Sequence, residues 1–267
     1  MKHVAYILMV VLTACGTPAE RAVDRALREG VKPYRAQHFG QAASTYAQAS
    51  FDPRVAYNLG NALYRQAQWD TALATYGRSI ASAQVGRQHA QVFHNLGNSW
   101  MQLATRADTL AEQAADQLSN FKIEGEDIGW KVRQFVVRDS LRNAQGELSH
   151  LIDSALAQGA EAYKNTLRRS PTDEDARHNL ALAQGMIAVR ARKAADASTN
   201  DPNKDKDKDL SERAKLIMRK ADELVEQYLF KDALKVMTDG LKADITLKQQ
   251  QEYMHKLDVV TKAADAE

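Results

Sequence analysis

Apolar positions along this chain recur at helical spacing, in pairs of short stripes separated by tight turns. The clearest pair is YNLGNALYRQAQWDTALATYGRSI, residues 57–80. Leu59, Gly60, Leu63 and Tyr64 form one stripe, and Trp69, Ala72, Tyr76 and Ile80 form the next. Ala67-Gln68 falls between them as the turn. Small residues at Gly60 and Ala72 let two helices approach closely, and Leu59, Trp69 and Tyr76 fill the space around that contact. A single hairpin cannot bury its apolar face alone, so the pattern implies stacked neighbours. One neighbour precedes it over Ala22–Pro53, where Gly30, Tyr34, Phe39, Ala42 and Tyr46 repeat Gly60, Tyr64, Trp69, Ala72 and Tyr76 at a constant interval. Pro33 stands inside the first of these helices, where a kink is expected.

A third repeat starts near Ala90, because FHNLGNSW (93–100) echoes AYNLGNAL (56–63). The echo ends at Gln102. Helical periodicity then runs on through Leu103, Ala107, Leu110, Ala114 and Leu118 to a break at FKIEGEDIG, 121–129. A second long stripe follows from Trp130 to about Gln158, and the repeat resumes at YKNTLRRSP, 163–171. Residues 103–158 therefore read as an insertion that lengthens both helices of the third repeat into a protruding antiparallel pair, or else as one divergent extra repeat. A fourth repeat opens at 173–184 with Asp173 as N-cap and acids in the first turn, and its helix is expected to reach about Lys193. The run ADASTNDPNKDKDKD, 195–209, is charged and lacks apolar period, which predicts a disordered linker. Residues 210–267 give a last hairpin, with Ala221, Leu224, Phe230, Ala233, Met237, Gly240 and Leu241, and a capping helix over Gln249–Val260.

The succession Gly60, Tyr64, Trp69, Ala72, Tyr76 and its copies resembles the tetratricopeptide (TPR) repeat. The fold class is thus all-α: a TPR-like helical-hairpin superhelix over 22–194, a long helical insertion at 103–158, and a C-terminal TPR-like hairpin. YNLGNALY, FHNLGNSW and YKNTLRRSPTDEDARHNLALAQ, followed by the Lys/Asp run, further resemble the BatC-type TPR subunit of bacterial aerotolerance (Bat) operons. That resemblance implies a periplasmic scaffold in stress tolerance. Its partners would be von Willebrand factor A-type membrane proteins and a MoxR-linked system.

The first residues change the picture of where the chain works. Lys2, the nine apolar residues Val4–Leu12, and Leu12-Thr13-Ala14-Cys15 fit a lipoprotein signal peptide over 1–14. Cys15, the single cysteine, would then carry the lipid and start the mature chain, with 15–21 as a tether. The expected location is the cell envelope, periplasm-facing and lipid-anchored. With one cysteine no disulfide can form within the chain.

Composition adds little beyond helix. Charged residues make up 26% and the net charge is +2, so bulk charge does not point to nucleic acid. The sequence has no Gly-rich phosphate loop, GxSxG, CxxC or HExxH. His89 and His94 are five apart on one helix, a poor pair for one metal, and Glu124, Glu126 and Asp127 read as a charged loop. No cofactor, metal or catalytic residue is expected. What remains is the inner face of the first helix of each repeat. By register it carries Arg54, Tyr57, Asn58, Asn61, Tyr64 and Arg65 in the second repeat, Gln91, His94, Asn95 and Asn98 in the third, and His178 and Asn179 in the fourth. Asn58, Asn95 and Asn179 share one register. A carboxamide there can donate to and accept from a peptide backbone, or can serve to pack neighbouring helices. Arg54 and Arg65 could reach a carboxylate. A lipid-anchored, non-enzymatic adaptor is the function this predicts. The alternatives are a structural lipoprotein of outer-membrane assembly and, more distantly, an envelope hydrolase with its site in the insertion.

Overall fold

A computed structural model describes residues 17–81, 87–123, 125, 128–200 and 210–265. Cys15 and the predicted signal peptide, the Glu124, Glu126 and Asp127 cluster, and 201–209 of the predicted linker lie outside them. The described residues form ten α-helices and no strand. They are α1 (Pro18–Arg35), α2 (Phe39–Ala47), α3 (Pro53–Arg65), α4 (Trp69–Ala81), α5 (Arg87–Ser119), α6 (Ile128–Arg169), α7 (Glu174–Asn200), α8 (Glu212–Glu226), α9 (Phe230–Ala243) and α10 (Gln251–Asp265). A 3₁₀ turn, η1 (Ile245–Gln249), joins the last two. No helix among the described residues is long and apolar enough to cross a membrane. The chain divides into two compact units: residues through Ala107 with Leu151–Ile187, and Asp108–His150 with Ala188–Glu267.

The first unit is a stack of TPR-like hairpins. α1 packs on α2, α2 on α3 and α3 on α4. Each hairpin closes on one contact. A Cβ placed on Gly30 would stand 2.3 Å from the Tyr46 ring, on Gly60 2.5 Å from Tyr76, and on Gly97 2.6 Å from Tyr163. Only hydrogen fits there, which explains the glycine of the repeat. Tyr46 and Tyr76 follow their glycines by 16 residues and Tyr163 follows Gly97 by 66, so 50 additional residues separate the two halves of the third hairpin. A second contact repeats with them. The Ser79 hydroxyl donates to the Pro53 carbonyl at 2.8 Å, and Thr166 donates to Ala90 at 3.4 Å.

The turns are built alike. Gln37, Ala67 and Tyr228 have φ of 62°, 56° and 59°. The amide after each reaches back five residues, His38 to Pro33, Gln68 to Leu63 and Leu229 to Leu224. This is the double-bonded helix ending in which the last carbonyls are satisfied by a left-handed residue.

Several expectations change. α1 begins at Pro18, capped reciprocally by Thr17 and Glu20, so 18–21 are helix and not tether. It also runs through Pro33, which sits in the last turn with only two helical residues after it, so the helix ends before a kink can develop. Asp173 caps α7 as predicted, its Oδ1 accepting from the Ala176 amide at 2.9 Å. α7 reaches Asn200, however, so residues 195–200 of the predicted linker are helical. The strong helix formers of the preceding segment, Ala191–Ala195, carry the helix on into it.

The insertion is the largest correction. α5 and α6 are long and continuous, as expected, but 108–150 does not stand out as a free pair. It belongs to the second unit with the C-terminal hairpin. Val132 and Phe135 are buried there in one core with Ala221, Val225, Ala233, Met237, Tyr253 and Val259. α8 packs on α9 and α9 on α10. The C-terminal segment is therefore not a separate body; its apolar face is completed by the insertion.

Candidate functional site

The inner face of the first unit is assembled by α1, α3, the first part of α5, and α7. A cavity of about 310 Å³ opens on it, lined by Tyr34, Tyr57, Asn61, Tyr64, Arg65, Tyr76, Asn95 and Asn98. Six of these eight were expected from register; Tyr34 and Tyr76 were not. Tyr34 stands one repeat before Tyr64, a signal that was legible. Tyr76 reaches the cavity from the second helix of its hairpin, and only the folded contact reveals that.

Hydrogen bonds tie the asparagines across repeats. The Asn61 oxygen accepts from the Tyr76 hydroxyl at 2.8 Å and from Asn95 Nδ2 at 2.7 Å. Asn95 Nδ2 also lies 3.2 Å from the Tyr57 hydroxyl. The arrangement recurs one repeat on, where the Asn98 oxygen accepts from Tyr163 at 2.8 Å and from Asn179 Nδ2 at 3.2 Å. Asn95 and Asn179 thus both hold adjacent repeats together. Asn58 shares their register, but Val31 stands where Asn61 and Asn98 stand, so the first repeat offers it no carboxamide. Burial pushes the Tyr76 and Tyr163 phenols above their ordinary range, so both stay protonated donors.

The other expected residues are spread more widely. Arg54 is engaged with its own helix cap, Asp52, through Nε at 3.1 Å and Nη2 at 3.0 Å. That pair holds the Asp52 carboxyl below its usual range, chiefly through the arginine's hydrogen bond. Arg65 lies over the Phe39 ring at 4.5 Å. His94 pairs with Asp173 at 3.6 Å and meets the Tyr163 ring edge-on. Gln91 and His178 are exposed and line no part of the cavity.

The chemistry left to the cavity is donor-rich. Two bonds each use up the Asn61 and Asn98 oxygens, which leaves their Nδ2 groups to donate. Tyr57 accepts from Asn95 and keeps its own proton. Arg65 is the one charged residue in the lining, beside four tyrosines. Such a wall suits a ligand that brings acceptors and apolar surface together, as an extended polypeptide does. No group of His, Cys, Asp and Glu able to hold a metal ion occurs among the described residues.

The fold is that of a TPR-like helical-hairpin protein. The chain matches no protein family that was compared with it, and no curated protein matches it either.

Proposed function

We propose that this chain is a lipid-anchored TPR-like scaffold that binds a protein partner in the cell envelope and catalyses no reaction of its own. The observation that carries the reading is the donor-rich cavity on the inner face of three consecutive repeats, walled by Tyr34, Tyr57 and Tyr64 with Arg65 at its side. Its polar groups are spaced along a stack of rigid helices, which suits recognition of a chain segment. The resemblance of YNLGNALY and FHNLGNSW to the Bat-operon TPR subunit supports a partner of von Willebrand factor A type in a MoxR-linked stress-tolerance system.

The test is a binding measurement between the detergent-solubilised full chain and a von Willebrand factor A-type membrane protein from the same cells. Tyr57→Ala with Arg65→Ala is expected to weaken binding about tenfold or more while helicity is kept. Unchanged affinity in that variant would remove the cavity from the reading. Capture of barrel-assembly proteins instead would favour the outer-membrane assembly role. The anchor is tested separately: Cys15→Ser should abolish palmitate labelling and release the protein from membranes.

A further inference from the structure

The second unit repeats the register of the first at a shift of 161 residues. Ala67, Ala72 and Tyr76 become Tyr228, Ala233 and Met237. Gly60 becomes Ala221, and Asn61 becomes Asp222. α10 then takes the place of α5, because Gln91, His94 and Asn95 become Glu252, His255 and Lys256. The inter-repeat bond is conserved in place and changed in chemistry. Asn95 donates to Asn61, 34 residues earlier, and Lys256 donates to Asp222, also 34 earlier, at 2.7 Å. The face of α8 and α10 that bears Asp222, Glu252, His255 and Lys256 is therefore the counterpart of the cavity-bearing face of α3 and α5.

That counterpart face is occupied, and its occupant is the insertion. Phe135 of α6 packs on His255, ring centroids 5.6 Å apart, and lies under Lys256 at 6.0 Å. Asp139, one turn further on, pairs with Lys256 at 2.5 Å. Arg138 and Arg142 pair with Glu252 at 2.5 and 2.9 Å. Of these α10 partners, Lys256 stands at the register of the cavity-lining Asn95, and Glu252 and His255 stand at those of Gln91 and His94 on the same helix beside it. We propose that the segment of α6 around Phe135–Arg142 is a built-in ligand of the second TPR-like face, and that this face takes in trans a partner helix bearing an aromatic and a carboxylate one turn apart.

Two observations mark the resident as replaceable. Much of its charge pairing is at the rim: the Arg142 and Glu252 side chains are 50% and 51% exposed, where ion pairs are screened. Arg138 Nε is buried without a hydrogen-bond partner, a cost that a competing helix need not carry.

The experiment uses the full chain and a fluorescent synthetic peptide of residues 130–146, with binding read by anisotropy. In the wild type the resident segment competes and binding is weak. Phe135→Ala with Asp139→Ala in the chain should free the face and tighten peptide binding about tenfold or more. Adding Lys256→Glu to that chain should abolish the gain, and a peptide carrying Arg138→Leu should bind more tightly than the unaltered one. Helicity is followed by circular dichroism, and the milder Asp139→Asn chain gives the same comparison should the double variant unfold. Peptide binding no tighter than to the wild type in a folded variant, or insensitive to Lys256→Glu, overturns the proposal.

Discussion

The two units share one register and differ in how they spend the same positions. In the first, a glycine lies under a rigid tyrosine ring and neutral carboxamides link the repeats. In the second, Ala221 and the flexible Met237 replace the glycine and the tyrosine, and a lysine and an aspartate replace the carboxamides. The substitutions come in matched pairs. An added methyl group is tolerated where an unbranched thioether can move aside, and it is not where a ring cannot. The inner faces diverge too: one presents a tyrosine-walled cavity, and the other holds a helix of the same chain. Shared geometry therefore fixes where these repeats make contact, while local chemistry decides what they contact.

The largest expected effect separates charged from neutral linkage. Lys256→Ala takes from Asp139, 13% exposed, its nearest ionic partner and leaves it only the longer contacts to Arg138 and Arg142, at 3.4 and 3.8 Å. Removing one member of a buried pair costs about 3–5 kcal/mol, and the lower end applies because the arginines stay beside Asp139 and the Asp222 side chain is 40% exposed. Asn95→Ala in the first unit should cost only about 1 kcal/mol, since Asn61 keeps its bond from Tyr76. Urea denaturation of each variant, with hydrogen exchange to show which unit loosens, tests the contrast. Equal losses would mean that the linkage chemistry is irrelevant.

Next comes the glycine contact. Gly60→Ala places a methyl group against Tyr76 and should destabilise by about 1–3 kcal/mol. Adding Tyr76→Met converts the pair into that of the second unit and should recover part of the loss, giving a non-additive double-variant cycle. Additivity would show that the two replacements are not coupled.

The register was readable in the first three repeats because residue identity repeats along with size: Gly30, Gly60, Gly97; Tyr46, Tyr76, Tyr163. The insertion was readable because the NLGN echo stops without a turn. The kinship of α10 with α5 was not, since Lys256 and Asn95 have nothing in common except the position from which they reach back to the preceding repeat. Likewise, the sequence placed Asn95 on the inner face but could not tell whether its carboxamide would meet a ligand or Asn61, because that depends on a helix 34 residues away. Nor could periodicity show that Phe135 and Val132 complete the C-terminal core, as an apolar stripe does not name its partner.

The smallest effect concerns the turns, where both units carry a non-glycine residue in left-handed backbone. Ala67→Gly should stabilise by about 1 kcal/mol, and Tyr228→Gly by less, because it also gives up the edge-on contact of Tyr228 with the Phe230 ring. Thermal unfolding measures both. A loss at either position would mean that the side chain there makes a contact worth more than the backbone strain.

The 50-residue interruption of the third hairpin also sets an order of events in time. The first two hairpins bring together residues 16 apart, and these can zip as soon as they leave the ribosome. Gly97 must wait for Tyr163, 66 residues later, and closing that longer loop costs about 1.3 kcal/mol more in chain entropy. Until then the first part of α5 has α3 and α4 to rest on but no partner helix of its own. The nascent chain consequently passes through a state in which two and a half repeats are folded and the face of Gly97 is bare, a window in which chaperone capture or misassembly with another chain is most favoured.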